Sequence, residues 1–81
     1  MRLRVVATFE DMQIALESWH TVELYMPDAT TGDYIGEVIG TCYNNGEPAA
    51  NVKKTDGTTS AYNFNNPNTL NPEKRTFYEV F

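Results

Sequence analysis

Residues 34–64 read YIGEVIGTCYNNGEPAANVKKTDGTTSAYNF, and this stretch decides the fold. It contains two turn signals, Asn44-Asn45-Gly46 and Thr55-Asp56-Gly57. Asn-Gly and Asp-Gly pairs suit the positive φ values that tight hairpins require. The stretch is therefore predicted to be a run of antiparallel strands joined by short hairpins. The predicted strands are residues 34–43, 49–54 and 58–64.

Two glycines, Gly36 and Gly40, lie inside the first and longest of these strands. They are four residues apart, so strict alternation places them on the same face of the sheet. Glycine within a strand usually marks a bend, a bulge or a close backbone approach. A long strand with two such positions is what a small sheet needs in order to curl.

Outside this stretch, hydrophobic spacing predicts one helix and further strands. Thr8 can cap a helix that begins at Phe9 and ends near residue 18. Apolar side chains at every second position predict strands over residues 2–6, 21–26 and 76–81. Residues 65–72 hold two prolines and four asparagines, which predicts an irregular loop or a single 3₁₀ turn. Four aromatic side chains are expected to fill the core: Phe9, Trp19, Phe64 and Phe77.

Part of the chain resembles a known class of small barrel. The matching segments are Val22-Glu23-Leu24, the bent strand Gly36-Glu37-Val38-Ile39-Gly40, Val52-Lys53-Lys54 with the Asp56-Gly57 turn, and Tyr62-Asn63-Phe64. Together they resemble the SH3/Sm-like modules encoded by bacteria and tailed phages. The resemblance implies a mainly β (α+β) fold, a small antiparallel SH3/Sm-like barrel of about five strands with one short N-terminal helix. Residues 1–81 are predicted to form a single domain.

The charge of the chain is uneven. The formal net charge is −5, and its six basic residues occur as three adjacent or near-adjacent pairs. Residues 5–52 contain acidic side chains but no lysine or arginine. Such a surface repels the phosphates of nucleic acids. It either serves solubility or faces a partner protein with a basic surface, and both interpretations stay open here.

Cysteine usage and hydropathy bear on the compartment. Cys42 is the only cysteine, and a single thiol fits a reducing environment. The chain starts without the apolar run of a secretory signal, and no run is long enough for a membrane span. We expect a cytoplasmic protein, located in the host cytoplasm if it is phage-encoded, with no membrane partner.

Catalytic chemistry is hard to assemble from this composition. His20 is the only histidine, so a nucleophile–histidine pair would have to use it. A zinc site needs about four cysteine or histidine ligands, and glycine-rich phosphate-binding motifs are missing. We expect a non-enzymatic protein without a cofactor or a metal.

Two binding sites are considered. The first is an acidic, tyrosine-containing surface for a host protein, as in a phage-type accessory factor or inhibitor, because tyrosine is frequent at protein interfaces. Its candidate residues are Tyr25, Asp28, Asp33, Tyr34, Glu37 and Tyr43. The alternative is a homo-oligomeric barrel that binds a nucleotide or short nucleic acid through basic side chains and base stacking. Its candidate residues are Arg2, Arg4, Lys53, Lys54 and Tyr62.

Overall fold

The computed structural model describes residues 2–64 and 74–81, which form one sheet and one helix. The predicted loop at residues 65–72 lies outside the described residues. The elements in chain order are β1 (Leu3–Val6), α1 (Phe9–Glu17), β2 (Thr21–Met26), β3 (Asp33–Asn44), β4 (Glu47–Lys54), β5 (Thr59–Asn63) and β6 (Thr76–Val80). No helix in these two segments is long and apolar enough to cross a membrane.

All six strands belong to one antiparallel sheet with the order β1-β6-β2-β3-β4-β5. The mainly β prediction is confirmed, with six strands rather than about five. In the described part of the chain no ladder joins β1 to β5, so the sheet is open. The sheet nevertheless curls. This is shown by the ring of Phe64, just after β5, which lies 5.1 Å from that of Phe77 in β6.

The helix covers one face of the sheet, which we call the helix-covered face. Thr8 caps α1 as predicted, since its hydroxyl accepts a hydrogen bond of 3.1 Å from the Asp11 backbone N–H. Met12 and Ala15 point from the helix into the core. The sheet contributes to this core mainly through Val6, Val22, Leu24, Val38, Ala50, Val52 and Phe77.

The predicted hairpins are present. Asn45 and Gly46 adopt φ values of 54° and 79° in the β3–β4 turn, the left-handed conformation that an Asn-Gly hairpin uses. Gly57 has a φ of 90° in the turn between β4 and β5. These turns bring β3, β4 and β5 into consecutive pairing, as the sequence predicts.

Strand β3 contains two breaks in its pairing register, one beside Gly36 and one beside Gly40. One breaks the register with β2 near Ile35, and the other breaks the register with β4 between Val38 and Gly40. The expectation that Gly36 and Gly40 share a face is wrong. The extra residue, Ile39, reverses the alternation, so Gly36 faces the helix while Gly40 lies on the opposite, outer face.

The expectation that Trp19 fills the core is wrong. The helix ends at Glu17, and Trp19 follows with a φ of 61° and a side chain that is 94% exposed. Its N–H bonds to the Leu16 carbonyl, and the His20 N–H bonds to the Ala15 carbonyl. These two bonds form a Schellman motif with Trp19 at the position that glycine usually occupies. Helical spacing therefore stops before Trp19.

Candidate functional site

A continuous row of side chains crosses the outer face of the sheet. The strand registers align Tyr78 in β6 with Glu23 in β2, Glu23 with Glu37 in β3, and Glu37 with Lys53 in β4. Directly paired residues share a face. Tyr25 and Tyr34 form the next pair along β2 and β3. We call Glu23, Tyr25, Tyr34, Glu37 and Tyr78 the tyrosine–acid face.

Tyr34 and Tyr78 pack edge to face against the ring of Tyr25. Its ring centroid lies 5.4 Å from that of Tyr34 and 5.5 Å from that of Tyr78. The Tyr25 hydroxyl donates a hydrogen bond of 3.3 Å to a carboxylate oxygen of Glu23. The Tyr78 hydroxyl accepts one of 3.0 Å from the Ala29 N–H. The rings are thus held in place while Tyr34 remains 41% exposed.

The pKa values of two tyrosines on this face are raised by burial and by the neighbouring carboxylates. Partial burial, then the charge and hydrogen bond of Glu23, raise the pKa of Tyr25. Partial burial, followed by the charges of Glu23 and Glu37, raises the pKa of Tyr34. Both phenols therefore stay protonated near neutral pH and can act as hydrogen-bond donors.

Glu23 and Glu37 lie directly opposite each other on neighbouring strands. Like charges in this arrangement destabilise a sheet. Lys53 lies across from Glu37 on the other side, but the described residues show no ion pair between them within 4.0 Å. The acidic pair is therefore not explained by the stability of the isolated chain.

Of the six residues predicted for the acidic surface, three belong together: Tyr25, Tyr34 and Glu37. The bulge near Ile35 places Tyr34 beside Tyr25 on the outer face. The irregularity at Ile39 has the opposite effect on Tyr43, whose ring lies on the helix-covered face, 5.5 Å from that of Phe9.

The two predicted aspartates lie apart from the tyrosine–acid face. Asp28 binds its own loop, because its Oδ1 accepts hydrogen bonds of 2.7 and 2.8 Å from the N–H groups of Thr30 and Thr31. These backbone bonds lower the pKa of its carboxyl group. Asp33 is exposed at the start of β3, opposite Met26. Asp28 therefore has a structural role in the loop, and Asp33 extends the acidic surface only at its margin.

The alternative, basic site is dispersed. Arg2 and Arg4 lie at the β1 edge, whereas Lys53 and Lys54 lie in β4. Strands β6, β2 and β3 separate them, which corresponds to about 19 Å along the sheet at the usual strand spacing. Tyr62 packs against the core and lies 5.6 Å beneath the Arg75 guanidinium. The structure does not bring these five residues into one site.

A buried carboxylate forms a second polar cluster that the sequence analysis missed. Glu79 is 1% exposed on the helix-covered face. One of its oxygens accepts a hydrogen bond from the Arg4 guanidinium at 2.5 Å, and the other contacts His20 Nδ1. Phe81 lies beside both partners of Glu79, 5.2 Å from the His20 ring and 5.5 Å from the Arg4 guanidinium carbon. We call these four residues the Glu79 cluster.

The ion pair with Arg4 balances the negative charge of Glu79. The hydrogen bond from His20 lowers the pKa of Glu79 against the opposing effect of burial, and Arg4 adds to the lowering. The carboxylate thus stays ionised, and both its oxygens are occupied. The sequence does contain a signal for this buried carboxylate. Glu79 lies between Phe77 and Phe81, at a position that alternation places on the inward face of the last strand. A charged residue at such a position requires a partner.

No group of three histidine, cysteine or acidic side chains in residues 2–64 and 74–81 could hold a metal ion. Comparison of the chain with protein-family models, curated proteins and solved structures finds no match. The geometry of the tyrosine–acid face and of the Glu79 cluster is therefore the basis from which a function can be inferred.

Proposed function

We propose that this protein is a non-enzymatic binding module whose tyrosine–acid face recognises a basic segment of a partner protein. The observation that supports this proposal most is the Glu23–Glu37 pair beside three packed tyrosines. An arginine side chain would place its guanidinium between the carboxylates and against the rings. Both contacts suit its planar, delocalised charge.

The energetics of the face favour binding over a purely structural role. Two carboxylates on directly paired residues of neighbouring strands repel each other in the free protein. A cation bound between them removes that repulsion and adds charge-assisted hydrogen bonds. Tyr25 and Tyr78 are already held by their neighbours, so little side-chain entropy is lost on binding.

The proposal includes a relationship to SH3/Sm-like barrels and a phage-type role. The curled sheet, with Phe64 against Phe77, is compatible with kinship to SH3/Sm-like barrels. A phage-type inhibitor or accessory factor acting in the cytoplasm on a basic host surface fits the same face. The nucleotide-binding alternative is less favoured, because its basic residues lie on separated strands.

The proposal can be tested by selection from a random peptide library displayed on a surface. We expect the protein to enrich peptides that contain arginine, and we expect their retention to weaken as salt increases. Enrichment of acidic or purely apolar peptides, or retention that is independent of salt, would contradict the proposal.

A matched pair of variants assigns the binding to the face. The double substitution Glu23→Gln and Glu37→Gln removes two negative charges from the face and should abolish the enrichment. The control, Glu10→Gln with Glu47→Gln, removes the same charge from exposed positions at the start of α1 and of β4. It should retain most of the binding. Equal losses in both variants would show that only net charge matters.

A further inference from the structure

Trp19 occupies a position that neither its conformation nor its packing explains. It has the left-handed φ of 61° at the end of the Schellman motif, and its side chain is 94% exposed. Glycine is the favoured residue there, because other residues are strained in this conformation. A fully exposed tryptophan on a strained, hydrogen-bonded turn has the character of an interface anchor.

An acidic side chain and the negative end of a helix dipole precede Trp19 in the chain. Glu17 is the last residue of α1, and the last turn of the helix carries no basic side chain. The carbonyl end of the helix dipole therefore remains uncompensated by a cation on the helix. A surface that accepts this anchor should be apolar and positively charged.

Such a surface lies on the same end of the molecule. A groove of about 350 Å³ is lined by Arg2, Leu3, Arg4 and Phe81. We call it the Arg2 groove. Within residues 2–64 and 74–81 the Arg2 side chain has no ion pair. Leu3 and Phe81 are 40% and 55% exposed. The groove thus combines apolar walls with guanidinium groups, and a guanidinium over an indole is a favourable cation–π arrangement.

The anchor and the groove are neighbours. Trp19 directly precedes His20, whose ring contacts that of Phe81 in the groove. A two-fold interface requires a patch that carries both complementary parts. We propose that two copies of this chain form a symmetric dimer in which Trp19 of each copy enters the Arg2 groove of the other. Glu17 and the helix C-terminus of one copy then face Arg2 of the second.

This dimer is independent of the tyrosine–acid face, since Trp19 and the Arg2 groove contribute none of its residues. The test is a dilution series of the full chain, followed by light scattering after size exclusion and by native mass spectrometry. Trp19→Gly should raise the dimer dissociation constant about a thousandfold. That factor corresponds to about 2 kcal/mol for each of two interface anchors. Tyr34→Ala, on the tyrosine–acid face, should leave the constant unchanged.

Charge reversal tests the pairing of Glu17 with Arg2. Glu17→Arg and Arg2→Glu should each weaken the dimer because each brings like charges together. The double variant should recover most of the wild-type affinity. Failure of the double variant to improve on either single variant would overturn the proposed contact.

The indole supplies a second readout, because Trp19 is the only tryptophan. Its emission should shift to shorter wavelength, and its quenching by acrylamide should decrease, as the protein concentration rises. A chain that stays monomeric at all concentrations would overturn the proposal, as would a dimer that persists in Trp19→Gly. An indole that becomes protected only when a different protein is added would likewise overturn it.

Discussion

Replacing Trp19 with glycine should raise the free energy of unfolding of the monomer, although it deletes the largest side chain. The left-handed conformation costs a residue with a side chain about 1–2 kcal/mol of folding free energy, and glycine avoids this strain. The larger conformational entropy of glycine in the unfolded chain offsets about 0.5–1 kcal/mol of that gain. The indole is 94% exposed, so its removal sacrifices little apolar burial. The net gain is about 0.5–1 kcal/mol.

Far-UV circular dichroism in urea measures this gain, since tryptophan fluorescence is lost in the variant. In a thermal scan the same gain corresponds to an increase of about 2–8 °C in Tm for a domain of this size. Both proteins must be compared at concentrations where the wild type is monomeric, because dimerisation adds apparent stability.

Asn45→Gly provides a matched control. Asn45 is the other described non-glycine residue with a positive φ, 54°, but asparagine tolerates this conformation far better than tryptophan. Its gain should be smaller than that of Trp19→Gly. If Trp19→Gly instead lowers the monomer's free energy of unfolding by about 1 kcal/mol or more, the indole packs against the fold, and its role as a free anchor is refuted.

Four further substitutions test other parts of the structure. Gly36→Ala should destabilise the protein by about 2–3 kcal/mol, because a Cβ there would lie 2.2 Å from the Lys53 carbonyl oxygen. Gly40→Ala meets no atom within 4 Å and should be tolerated in the same urea assay. Glu79→Gln should cost about 2 kcal/mol at neutral pH through weakened charge-assisted hydrogen bonds. Because the pKa of Glu79 is lowered in the folded state, its contribution is complete above the unfolded pKa of about 4.3. It is lost as pH falls through the folded pKa, so unfolding measured across pH should show the two proteins converging in acid. Convergence at alkaline pH instead would contradict the assigned role of the carboxylate. Glu37→Gln should leave stability unchanged or raise it by up to about 1 kcal/mol, and a clear loss in thermal unfolding would argue against repulsion from Glu23.

Much of the local structure could be predicted from the sequence, because its causes are local. Turn chemistry at Asn45-Gly46 and at Gly57, the Thr8 cap and the alternation in β2 each depend on a few adjacent residues. The number of strands and the open edge depend on how the sheet curls and which strands meet. These are long-range properties that hydrophobic alternation does not encode.

The candidate site was predicted in part for the same reason. Tyr25 and Glu37 follow simple alternation, but the faces of Tyr34 and Tyr43 depend on two bulges whose positions the glycines indicate only approximately. One extra residue moves every following side chain to the other face. The clustering of acidic residues along the sequence indicates an acidic surface. Which acidic side chains lie next to each other depends on the order and register of the strands, which pair Glu23 with Glu37. Glu79 was missed because its partners, Arg4 and His20, are distant in sequence.

The most direct test of the proposed function is an NMR titration of isotope-labelled protein with a short synthetic peptide that contains arginine. A second peptide in which citrulline replaces arginine has nearly the same shape but no charge. We expect the arginine peptide to shift the amide signals of the tyrosine–acid face, namely Glu23, Tyr25, Tyr34, Glu37 and Tyr78, and the citrulline peptide to leave them unchanged. Equal shifts with both peptides, or shifts confined to α1 and the Arg2 groove, would contradict the proposed function.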